Sequence, residues 1–87
     1  MVALSVGNST IEITDSHVSA FLQFVAPNER KVDAMLRSVL LKAPYGSRAR
    51  ETAQLLQRFV EDSKSRNEPV LIEGIPIERY LADRKNR

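Results

Sequence analysis

The 87-residue chain has no cysteine and no tryptophan. Without thiols it can form no disulfide, no zinc–thiolate site and no cysteine nucleophile. That absence points to a reducing cytoplasm as the expected setting. There are three glycines, Gly7, Gly46 and Gly74, too far apart for a phosphate-binding glycine loop. His17 is the single histidine, so no second imidazole is available to share a metal. It reads as a surface residue at a helix start. No serine sits in a nucleophile elbow. The acidic neighbours Glu61-Asp62 and Glu12/Asp15 lack ligand spacing. The reading is therefore a non-enzymatic protein with no cofactor and no metal.

No apolar run approaches the ~18 residues that span a bilayer, so no membrane segment is expected. The start, Met1-Val-Ala-Leu-Ser-Val, lacks the basic residues that open a signal peptide. Lys and Arg are also absent from the first 29 positions, where only Glu12, Asp15 and Glu29 are charged. All 13 basic residues lie from Arg30 onward, in a chain whose overall net charge is +2. Such asymmetry can mark a face for nucleic acid or an acidic partner.

What is present reads as one folded domain over residues 1–87. The 43% hydrophobic and 28% charged fractions are those of a globular chain rather than a disordered one. Residues 2–14 read as a hairpin. Val2, Leu4 and Val6 alternate with small residues, Gly7-Asn8 suits a type II′ loop, and Ile11 and Ile13 alternate on the return. That loop sets Val6 against Ser9, Leu4 against Ile11 and Val2 against Ile13, so the apolar residues share one face.

Residues 16–66 read as a helical core. Asp15 or Ser16 can cap a first helix with Val18, Phe21, Leu22 and Val25 inward, ended by Pro27. Asn28 can cap a second to about Ala43, with Val32, Met35, Leu36, Val39 and Leu40 inward. Ser47 can cap a third to about Ser65, with Leu55, Leu56, Phe59 and Val60 inward, and Arg58 within reach of Asp62. Residues 70–84 supply a strand, Val70-Leu-Ile72, and a last helix opened by Pro76. Residues 85–87 read as a tail, and the whole basic run from Arg84 as frayed. The fold class is α+β, helix-dominated, in the order ββαααβα, with helices on one face of a small sheet.

Residues 10–41 resemble a ribbon-helix-helix DNA-binding domain in outline, an alternating strand followed by two helices. The resemblance implies an intertwined dimer with Thr10, Glu12 and Thr14 reading the major groove. Three features depart from it. Glu12 would set a carboxylate against DNA, Pro27-Asn28-Glu29 stands where a glycine is usual, and the strand has a matched partner in its own chain.

The chemistry that remains is basic. Arg48 and Arg50 fall in the first turn of the third helix, beside Tyr45 and the cap Ser47. Free amides at a helix start attract anions, and two guanidinium groups with an aromatic ring could hold a phosphate or a base. Arg79, Arg84 and Lys85 form a second basic set. Two partner classes follow. One is nucleic acid, bound through the basic half by Tyr45, Ser47, Arg48, Arg50, Arg79, Arg84 and Lys85. The other is a protein, bound by an adaptor or inhibitor through the hairpin edge and the C-terminal segment Ile75, Ile77, Tyr80 and Leu81. The second surface would also serve self-association.

Overall fold

Gly7 adopts φ +55°, whereas Asn8 keeps a negative φ. Positive φ at the first loop position alone is the mark of a type II′ turn. In the computed structural model, which describes residues 1–85, this turn joins β1 (Val2–Val6) to β2 (Ser9–Ile13). The pairs Val2↔Ile13, Leu4↔Ile11 and Val6↔Ser9 are those the alternation predicts. Val2, Leu4, Val6 and Ile13 are buried, and Ala3, Ser5, Thr10 and Glu12 take the opposite face. A Cβ at Gly7 would only push aside the exposed Glu68 carboxylate, so it is the positive φ that calls for glycine here.

β3 (Val70–Ile72) pairs antiparallel with the other side of β1. Glu73 and Gly74 then both take positive φ, 53° and 77°. This is the type I′ pattern, and it folds the chain straight back. The result is a two-residue strand the sequence reading did not foresee, β4 (Ile75–Pro76), with Ile75 opposite Ile72. Pro76 therefore ends a strand, and α4 (Ile77–Lys85) starts one residue later. The sheet runs β2-β1-β3-β4, antiparallel throughout. The α+β class and the order ββαααβα hold, with β4 as a short added edge.

The buried face of the sheet meets α3 (Arg48–Arg66) and α4, and α1 (Asp15–Leu22) and α2 (Val32–Lys42) pack against α3 to complete one core. Phe21, Leu4, Met35, Leu56, Ile72 and Leu81 are its largest fully buried side chains. β2 is paired with β1 of its own chain, which removes the premise of the ribbon-helix-helix outline. No helix is long and apolar enough to cross a membrane among the described residues.

Three further helix boundaries differ from the sequence reading. Thr14, not Asp15 or Ser16, caps α1: its hydroxyl accepts the His17 N–H at 3.2 Å. α1 stops at Leu22, well before Pro27, although Val25 still reaches the core through the turn that follows. α2 starts at Val32 rather than after Asn28, because Lys31 is extended at ψ 138°. Lys31 has no side chain that can cap. Glu78 of α4 supplies the cap instead, its carboxylate accepting the Val32 N–H at 2.8 Å. A carboxylate at a helix start also meets the positive end of the dipole. In α3 the Ser47 cap holds, and Asp62 pairs with Arg66 at 3.1 Å rather than with Arg58. An acid placed N-terminal to its base is the better i,i+4 orientation.

The Glu78 cap gives a first prediction. Glu78→Ala leaves the Val32 amide unpaired and should cost about 1–2 kcal/mol, read from urea denaturation with an unchanged slope. A loss no larger than that of an exposed neighbour such as Arg79→Ala would mean α2 needs no cap from α4.

Candidate interaction surfaces: the basic junction and the open sheet edge

The structure gathers Tyr45, Ser47 and Arg50 around the C-terminus of α2. The last carbonyls of a helix lack partners within it and carry partial negative charge. Arg50 answers both: its Nη1 donates to Leu40 O at 2.7 Å and to Ala43 O at 3.5 Å. Its Nε is buried without a partner, and its guanidinium lies 4.0 Å from the centroid of the Tyr45 ring. Ser47 Oγ donates to Pro44 O at 2.7 Å and accepts the Arg50 N–H at 3.2 Å. A cation at the wrong end of α3 is thus at the right end of α2. Arg48 points elsewhere, donating to the hydroxyl of Ser16 in α1. Tyr45 is 87% exposed, with Arg50 against one face of its ring.

The second basic set is also partly engaged. Arg84 Nη1 donates to Asp15 Oδ1 at 3.4 Å and to the Tyr80 hydroxyl at 3.2 Å. Lys85 Nζ donates to Ala26 O at 2.7 Å and Glu29 O at 2.9 Å. Arg84 therefore fastens the end of α4 to the start of α1, and Lys85 fastens it to the α1–α2 connection, where a frayed run was expected. Asn86 and Arg87 lie outside the described residues. Arg79 is exposed on α4. Because Lys85 ties two backbone carbonyls, Lys85→Ala should lower stability by about 1 kcal/mol, checked by thermal melting against Arg79→Ala. Equal melting points would contradict the tie.

The proposed C-terminal contact segment divides. Ile77 and Leu81 are 6% and 1% exposed and belong to the core. They are corrected from interface to packing residues: the turn at Glu73-Gly74 rotates the start of α4 onto the sheet. Tyr80 is half-buried beside Arg84, and Ile75 is exposed.

The two sheet edges are unlike. In a two-residue hairpin the residues flanking the loop form a hydrogen-bonded pair, and bonded and non-bonded pairs then alternate. Ser9, Ile11 and Ile13 therefore bond to β1, while the backbone N–H and C=O groups of Thr10 and Glu12 point away from the sheet. The same parity turns Ala3 and Ser5 toward β3, and the Glu73 N–H does reach Ala3 O at 2.8 Å. At the far edge, Ile75 bonds inward to Ile72, so the outward residue of β4 is Pro76. Proline has no N–H to offer, which closes that edge. β2 has no proline, lysine or bulge, and among the described residues β1 is its only extensive neighbour. The hairpin pattern located this edge, but its contrast with the Pro76 edge needed β4.

These features define a helix-on-sheet α+β domain with one closed edge and one open edge. No protein-family model, curated protein or solved structure matches the chain.

Proposed function

We propose that this protein is a non-enzymatic interaction module that docks an extended protein segment along β2. The carrying observation is the asymmetry of the sheet: Pro76 stops one edge, and Thr10 and Glu12 leave the other ready to add a strand. Added strands gain affinity from main-chain hydrogen bonds and specificity from alternate side chains. The engagement of Arg50, Arg84 and Lys85 within the chain further supports a protein partner over a phosphate backbone. The cysteine-free sequence supports a cytoplasmic setting.

The test is selection from a displayed random-peptide library on the wild-type protein, with counter-selection on Thr10→Pro. That change deletes one outward N–H and no ladder bond. Peptides that bind wild type and lose Thr10→Pro are expected. No enrichment on protein held dilute enough to leave β2 free, or binders indifferent to the proline, would overturn the reading.

A second reading, nucleic acid bound through Arg48, Arg79 and the exposed bases of α2, rests on the confinement of all Lys and Arg to residues beyond 29. It expects retention of a mixed DNA and RNA pool that falls steeply as salt rises. No retention at low salt removes it.

A further inference from the structure

The open edge has a symmetry that identifies its occupant. Its outward backbone groups belong to two residues, Thr10 and Glu12, placed evenly about Ile11. An antiparallel copy of β2, related by a two-fold axis through Ile11, sets Thr10 opposite Glu12 of the copy and Glu12 opposite its Thr10. Each pair exchanges both of its N–H···O=C bonds, so four outward donors meet four outward acceptors. Ile11 then faces its own equivalent as a non-bonded pair, the closest spacing in an antiparallel sheet. Its side chain lies on the helix-covered face and is only half-buried within one chain, so the copy would complete its burial. On the other face each Glu12 carboxylate meets a Thr10 hydroxyl rather than a second carboxylate, and no lysine or arginine of the first 29 residues intrudes.

The closed edge supplies the remaining condition. A two-fold seam uses up one edge of each chain, and the sheet would grow into a fibre only if the other edge also paired. Here a copy added at β2 leaves only Pro76 edges outside, so growth stops at two chains.

We infer that β2 is the seam of a two-fold homodimer, which joins two four-stranded sheets into one of eight strands in the order β4-β3-β1-β2-β2-β1-β3-β4. The inference rests on the strand-docking reading above and names the strand.

Sedimentation equilibrium over a concentration series tests it, with wild type, Thr10→Pro, Thr10→Lys and Thr10→Glu. Wild type should show a reversible monomer–dimer equilibrium with nothing larger, and Thr10→Pro should stay monomeric with its circular dichroism unchanged. The register makes a signed prediction for the charged variants, which do not depend on proline being tolerated. Lysine at position 10 faces Glu12 of the copy twice and should tighten the dimer about fivefold, whereas glutamate faces it twice and should weaken it by at least that factor. A wild-type monomer at every concentration overturns self-pairing alone; strand docking is then judged by the peptide selection. A dimer unmoved by Thr10→Pro and Thr10→Glu, or a larger assembly, overturns the seam.

Discussion

Arg50→Glu should remove about 3 kcal/mol of stability, roughly a third to a half of what a domain of this size has. Seen from α3 alone the opposite is expected, since glutamate near a helix start gains about 0.3–1 kcal/mol from the dipole. The packing reverses the sign. Arg50 donates to the Leu40 and Ala43 carbonyls, and glutamate would replace a donor with an acceptor there. Losing a charged hydrogen bond costs about 1.5–3 kcal/mol, and leaving carbonyls facing a carboxylate adds to that. The stacking on Tyr45 is lost as well, about 0.5–1 kcal/mol at an exposed ring. A net loss of about 3 kcal/mol is expected by urea denaturation, with Arg50→Met intermediate because it keeps the apolar stem. A glutamate variant as stable as wild type would show that Arg50 is a solvated surface group. It follows that loss of any binding in Arg50→Glu reports on folding first, so a nucleic-acid role for the junction must be read from Arg48→Glu, whose contact is a single exposed serine.

Phe21→Ala should be as severe. Phe21 is fully buried where α1 meets the rest of the core. Such truncations cost about 3–5 kcal/mol, and a domain of this size has a total stability of roughly 5–10 kcal/mol. The variant should melt far below wild type, with loss of cooperativity. Leu41→Ala is the contrast, because Leu41 is 79% exposed and helix-favourable alanine replaces it. Comparable losses in the two variants would mean that Phe21 is not a core side chain.

Local chemistry carried most of the fold. Gly7-Asn8 and the alternation around it set the hairpin register to the residue, because turn type and face pattern allow only one pairing. Ser47 was legible as a cap because its first helical turn follows directly. Asn28 misled because it has the right side chain in front of an apolar stripe, while the true cap of α2, Glu78, lies 46 residues away. No local pattern reveals a partner at that distance. β4 escaped notice since two residues make no alternation; Glu73 in left-handed φ was the missing sign. For the surfaces the same division holds. Arg48 and Arg50 were visible as cations, but that Arg50 serves the preceding helix depends on how Pro44-Tyr45-Gly46 returns the chain. Ile77 and Leu81 looked available only while the path from β3 to α4 was unknown.

The account turns on whether Thr10 and Glu12 are where a strand is added. Residue-resolved amide hydrogen exchange of the wild type, measured as concentration rises, addresses this directly. Ile11 and Ile13 already bond to β1 and should be protected throughout. Thr10 and Glu12 should exchange freely when dilute and slow together as concentration rises, with no matching change in the solvated loop around Asn28. Free exchange of Thr10 and Glu12 at every concentration, while Ile11 stays protected, would contradict the seam.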